Sequence, residues 1–302
     1  MGVSRDISTI RGTKSTNSLD NFQNILIDVI NNMCITCTRY FLDIRNIVLY
    51  LLFINQLKQI TMSYYKSTLL TTNNHKTIKG AKLGYITYIM YLSPYTDNSQ
   101  GINLCPHASA GCSGACLFKS GFGGMYDGVQ EGRRNKTEWY LANRPEFMAQ
   151  LDMEVSKAIV KHKDKAIVTF RLNGTSDIRW EKIKVREGKN IFELYPDVQF
   201  YDYTKNPKRF DGSMPSNYHL TFSRSEVNDK EAMAILKKGY NVAMVFKKVP
   251  ETYLGYKVVN GDETDLRFLD EQNVIVGLKY KNQTGKGADN KVAFTTGFAI
   301  AV

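Results

Sequence analysis

The sequence predicts an α/β protein, organised as a barrel-like or partial (β/α) barrel with a cysteine-rich metal loop and an N-terminal helical extension. Three observations predict it. Five short, nearly continuous apolar runs, Ala166 to Leu172, Val198 to Tyr203, Tyr218 to Phe222, Tyr240 to Phe246 and Val274 to Leu278, have the character of strands buried on both faces. Polar clusters follow the first four of these runs in the chain direction, and strand carboxyl ends form the active face of α/β sheets and barrels. Finally, Cys105, Cys112 and Cys116 fall within one stretch rich in Ala, Ser and Gly, where the backbone can curl and bring thiolates together.

Taken in order, residues 1 to 18 are polar and without apolar periodicity. Leu19 to Ile60 reads as a helical hairpin or one broken helix, with Phe22, Ile25, Leu26, Val29, Ile30 and Met33 at helical spacing. Its apolar run Ile47 to Ile54 is far short of the roughly 20 residues that cross a bilayer, so no transmembrane segment is expected. Cys34 and Cys37 have no second pair nearby and read as packing residues. All seven prolines lie after Met62, which divides the chain into a dispensable helical extension, 1–61, and a functional domain, 62–302.

Leu83 to Tyr95 reads as a strand leading into the cysteine loop, which Gly121, Gly123 and Gly124 close. A helix from Gly128 to Asn143 places Arg133, Arg134 and Lys136 on exposed turns and Trp139 and Tyr140 toward the core; a second runs from Pro145 to His162. Asn260 to Asp265 reads as a hairpin turn, and a last strand covers Val292 to Ala301.

The cysteine loop offers soft ligands. With His107 as a fourth ligand it suits zinc; with three cysteines alone it suits an iron–sulfur cluster with one open iron. The plain alternative is a tight loop of small buried residues, or a disulfide. The polar strand ends supply a candidate site: Asn173, Thr175 and Asp177, then Asp202 and Lys205, then Ser223, Ser225 and Glu226. Each of these residue types also caps helices, so the case rests on the clusters occurring at corresponding ends.

Forty Lys and Arg against 29 Asp and Glu give a formal charge of +11, which suits a polyanionic partner such as nucleic acid or an anionic membrane, or equally a solvated face. An odd number of cysteines, with ligand-like spacing and no secretory leader, fits a reducing cytoplasm.

The strings Cys105 to Cys112, Cys116 to Gly121, Arg171 to Glu181, Phe200 to Lys205 and Leu220 to Glu226 together resemble the phage gene product 88 family, from about Met62 to the C-terminus. That family is in turn similar to phage DNA-modification transglycosylases, which exchange guanine for a 7-deazaguanine base and share a barrel with the tRNA-guanine transglycosylases. The resemblance implies an aspartate nucleophile and a second acid or base, for which Asp177 and Asp202 are the candidates, with Asn173 and Glu226 reading a purine or deazapurine base of DNA. The zinc ligands of the tRNA enzymes lie late in the barrel, whereas these cysteines precede most of it, so that ligand set does not carry over. A second resemblance is to radical S-adenosylmethionine enzymes, which carry a three-cysteine loop after the first strand of a partial barrel; their spacing is Cys-x3-Cys-x2-Cys, and here it is x6 and x3. A zinc-stabilised nucleic-acid-binding protein without catalysis is the third reading.

Overall fold

The structure, a computed structural model, describes residues 46–52, 68–72, 75–120, 124–284 and 289–302. By its internal contacts the chain divides into Met1–Ser63 and Tyr64–Val302. In the first unit residues 46–52 are helical and exposed. The polar N-terminus, the remainder of the expected helical segment and the Cys34/Cys37 pair lie outside the described residues.

The second unit opens with β1 (Leu70–Thr71), α1 (His75–Ala81) and β2 (Tyr85–Met90). The cysteine loop follows, holding the one-turn helix α2 (Ala110–Gly114), and leads to the long helices α3 (Asp127–Ala142) and α4 (Arg144–His162). Next come β3 (Ile167–Arg171), α5 (Ile191–Leu194), β4 (Gln199–Thr204), β5 (Tyr218–Ser223), α6 (Asp229–Lys237) and β6 (Val242–Phe246). The hairpin β7 (Thr252–Tyr253) and β8 (Tyr256–Asn260), then β9 (Ile275–Lys279), α7 (Val292–Thr295) and β10 (Ala299–Ile300) complete it.

One sheet collects the ten strands in the order β1-β2-β3-β4-β5-β6-β9-β8-β7, with β10 beside β6. From β2 through β6 each strand lies parallel to the next in the chain, and β9 continues parallel beyond β6. That is the order a barrel uses. Among the described residues no ladder joins the two ends, however, so the expected barrel-like or partial barrel is corrected to an open sheet with antiparallel pairs at its edges, β1 on β2 and β7 on β8.

The sheet splays at its carboxyl end in two places. β5 pairs with β6 only at Val242 and Ala243, and β10 then takes over at Val245 and Phe246, which parts β5 from β6 above that point. β3 and β4 share only two register pairs, Thr169 with Gln199 and Phe170 with Phe200. Both gaps open on the side where the polar clusters lie.

The apolar runs hide an asymmetry that follows from the two-residue period of a strand. Phe170, Leu172, Phe200, Leu220, Phe222, Met244 and Phe246 pack with Leu151 and Val155 of α4 and Ile235 and Leu236 of α6 in the main core. Residues of the opposite parity are polar yet buried: Thr87, Thr169 and Tyr201 join hydroxyls at 2.9 and 3.2 Å, and Arg171 lies over the rings of Tyr201 and Tyr203. The Arg171 guanidinium is paired with Asp265 at 2.6 Å, both nearly sealed from solvent.

Three local expectations change. Asn260-Gly261 ends β8, but the chain then enters a 3-10 turn at Arg267–Leu269 and returns parallel as β9, so the segment is not a hairpin. The expected last strand is the helix α7 followed by the two-residue β10, with Gly297 at φ 82° turning the chain between them. On α3, Lys136 is buried and donates to Leu69 O at 3.2 Å, while Arg133 turns inward; of the three basic residues only Arg134 is exposed, paired with Asp97.

Candidate functional site

A cavity of about 420 Å³ opens at the carboxyl ends of the parallel strands, and Cys105, Cys112 and Cys116 all line it. The cysteines come from the loop after β2, the first parallel strand. The cavity wall opposite is built from the loop after β3 and the ends of β4, β5 and β9.

The cysteine loop is fastened on three sides. Cys105 Sγ donates to Thr175 O at 3.5 Å, in the loop after β3. Ser109 caps α2 by accepting from the Cys112 amide at 3.1 Å, and its hydroxyl donates to Glu226 Oε2 at 2.8 Å. Glu226 Oε1 accepts the Gly111 amide at 2.6 Å. From the C-terminal side the Gln283 side chain donates to Gly114 O, and Lys119 O accepts from the Thr284 amide. Gly111 has no room for a side chain: a Cβ there would meet Thr296 Oγ1 at 2.5 Å and Phe298 Cβ at 2.7 Å.

The three thiols are half-buried. Burial pushes Cys105 up to about 12, and burial likewise raises Cys116, with the neighbouring thiols adding to both. Tyr95, at φ 54° in the turn before the loop, is raised far above an ordinary phenol by burial and by the charges of Cys112, Cys116 and Cys105. All three cysteines and Tyr95 line the same cavity. His107 is exposed and does not line the cavity. Among the described residues no three His, Cys, Asp or Glu side chains are gathered tightly enough to hold a single ion.

Of the other site candidates, Asn173, Thr175, Asp177, Lys205 and Ser223 line the cavity, while Asp202, Ser225 and Glu226 do not. Asn173 folds the loop it begins: its Oδ1 accepts from Ser176 Oγ, the Ile178 amide and Trp180 Nε1, and its Nδ2 donates to Ile178 O. Asp177 is similarly committed. One oxygen accepts from Thr204 Oγ1 at 2.8 Å, the other from the Lys205 amide at 2.9 Å, and Arg209 stands 3.4 Å away.

Asp202 sits inside the fork between β3 and β4, fully buried. It replaces the missing ladder: Oδ1 accepts the Asn173 amide at 2.9 Å, and Oδ2 accepts the Leu172 amide at 3.3 Å and the Tyr218 hydroxyl at 2.9 Å. Burial pushes its carboxyl up to about 6, with Arg171 and these hydrogen bonds holding it down. Ser225 is buried beneath the mouth. Glu226 spends both oxygens on the cysteine loop.

Lys205 Nζ is fixed by Ser223 Oγ at 2.6 Å and lies 5.7 Å from the Phe298 ring centre. Arg133, also in the lining, stacks 4.8 Å over Tyr91 and 5.4 Å from the centre of Phe118. Arg133 carries a sequence signal that the exposed-turn reading passes over: stepping back from Tyr140 by four and then three residues reaches Lys136 and Arg133, on the buried stripe. The contributions of Tyr91, Tyr95, Arg171 and Phe298 have no comparable signal, because each depends on which strand lies beside which.

A family model described as gene product 88 matches residues 67–296. No curated protein matches the chain, and no solved structure does. Among the described residues no helix is long and apolar enough to cross a membrane.

Proposed function

The chain belongs to the gene product 88 family, and from that footing we propose that it is an enzyme holding an iron–sulfur cluster on Cys105, Cys112 and Cys116 and acting, by chemistry of the radical S-adenosylmethionine type, on a molecule bound in the adjoining cavity. One observation carries the reading: three thiols from a single loop, placed directly after the first parallel strand, line the same cavity as the carboxyl ends of the sequential strands that follow. The donor set fits the group. A single tetrahedral ion asks for ligands converging on a point, whereas each iron of a cluster takes its own thiolate, so three thiols around a shared cavity suit the cluster better. Cys105, Cys112 and Cys116 would hold such a cluster, which with a low-potential electron donor would supply one-electron reductive cleavage of S-adenosylmethionine.

The chain's own residues supply placement and exclusion of water. Glu226 and Thr175 fasten the loop, and Tyr95 and Arg133 line the cavity together with the thiols. Asn173 and Asp177 hold the opposite wall rigid, so the reacting space keeps its shape.

Base exchange at a nucleic-acid sugar has less support from the geometry. Asp202 lies outside the cavity and both oxygens of Asp177 are engaged, which leaves neither aspartate free to attack. A zinc-stabilised binding protein draws on the charge excess and the same thiols, but its fourth ligand, His107, is exposed and outside the cavity lining.

Anaerobic reconstitution with ferrous iron and sulfide tests the proposal. The expected protein carries iron and sulfide in similar amounts, shows a broad visible absorption that dithionite bleaches, and then converts S-adenosylmethionine to methionine and 5′-deoxyadenosine. Stoichiometric zinc with no iron uptake, or equal iron uptake by a chain with all three cysteines changed to alanine, would refute it.

A further inference from the structure

The charges in the cavity do not balance. Its lining carries Arg133, Arg171, Lys205, Lys279 and Lys281 against Asp177 and Asp262. Arg171 is matched by Asp265 at 2.6 Å, Lys281 by Asp262 at 3.1 Å, and the charge of Asp177 is taken up by Arg209. That leaves Arg133, Lys205 and Lys279, with which no carboxylate of the described residues pairs. Lys279 is exposed at the rim. The other two are held in place by neutral groups: Lys205 by the Ser223 hydroxyl and the Phe298 face, Arg133 by the Tyr91 and Phe118 rings, with its NH1 buried and unpartnered.

Cations fixed by aromatic faces and a hydroxyl, in a cavity with largely apolar walls, are arranged for an anion that arrives from outside. Water-filled, the site leaves a half-buried guanidinium without its counter-charge, which is unfavourable; an anionic ligand removes that cost.

We propose that the cavity binds a small anionic molecule, bearing a carboxylate or a phosphate on an aromatic or apolar body, with Lys205 and Arg133 as its anion contacts. The body lies against Tyr91 and Phe298, the rings that already carry the two cations. The proposal rests on the cavity being a ligand site, as in the reading above, but not on the presence of a cluster.

Matched pairs of probes test it by calorimetry on the full chain: adenosine 5′-monophosphate against adenosine, and benzoate against benzamide. In at least one pair the charged member binds tighter by about tenfold or more. Preference in the phosphate pair alone assigns a phosphate ester, and in the benzoate pair alone a carboxylate. Lys205→Met and Arg133→Met each reduce the affinity for the charged member by about tenfold and leave the neutral member unchanged. The proposal is overturned if charged and neutral members bind alike, if none binds at millimolar concentration, or if the preference survives in both variants. Affinity that climbs steadily from the mononucleotide to longer single-stranded oligonucleotides overturns it too, in favour of a nucleic-acid strand. Each titration is run before and after iron–sulfide reconstitution: preference in a chain that takes up no iron sinks the cluster reading alone, and a loaded cluster without preference sinks this one alone.

Discussion

Glu226 Oε1 lies 2.6 Å from the backbone nitrogen of Gly111, so the end of β5 holds the middle of a loop that leaves the sheet three strands away. The other oxygen takes the Ser109 hydroxyl, and the pair of bonds fixes where Cys112 stands.

Glu226→Gln keeps the shape but turns an amide toward one of two donors, and is expected to cost about 1–3 kcal/mol. Gly111→Ala drives a methyl into Thr296, Phe298 and Glu226 and should cost about 1–3 kcal/mol, with the loop displaced. Urea denaturation measures both. Iron retained per chain after reconstitution should fall in each variant, and unchanged retention would show that the fastening is irrelevant to the thiols.

Asp202 and His219 give stability opposite pH dependences. The folded carboxyl of Asp202 titrates at about 6, above its unfolded value, so its contribution is complete below the ordinary carboxylate range and falls away as pH rises to about 6. Burial pushes Asp270 up to about 6 as well, with the same sign. Burial, with Arg267 nearby, pushes His219 down to about 4, so its contribution is complete above the ordinary imidazole range and is lost as pH falls toward 4. His219→Gln should therefore leave a stability that drops more steeply between pH 4 and 6 than that of the parent chain. Asp202→Asn should flatten the drop by on the order of 2 kcal/mol. Parallel curves for parent and both variants, from denaturant melts across that window, would contradict the assignment.

The Arg171–Asp265 pair predicts a large asymmetry between single and double replacement. Asp265→Asn leaves a sealed guanidinium without its counter-charge and should cost about 3–5 kcal/mol. Replacing both partners by Met and Leu should cost much less than the sum of the single changes. A double-mutant cycle that came out additive would mean the two charges are solvated after all.

Most of the elements were legible from apolar runs and their ends. β2, β3, β4, β5, β6 and β9, and the helices α3 and α4, lie where the periodicity predicts them, because each depends on side chains local to the segment. The cysteine loop was legible for the same reason. The tail failed that test: Val292 to Ala301 is apolar enough for a strand, but its first turn packs Val292 beside Gly114 and folds as a helix. Asp265 read as part of a hairpin turn because its partner, Arg171, is far away in sequence and meets it only in the fold.

By itself the sequence determined an α/β chain with polar strand ends and one thiol-rich loop, since these follow from period, turn chemistry and composition. Tertiary structure alone decided which of those polar ends face the cavity. Asp177 and Asp202 both follow buried runs, yet Asp177 reaches the mouth and Asp202 is drawn into the gap where β3 and β4 part. Lys205 and Glu226 also come from neighbouring strand ends, and one is held in the cavity by the Ser223 hydroxyl while the other becomes the clasp of the cysteine loop. The physical reason is that a buried backbone donor must find an acceptor. Where the ladders splay, the nearest carboxylate is taken for that purpose, and only the register of strands far apart in sequence settles which one it is.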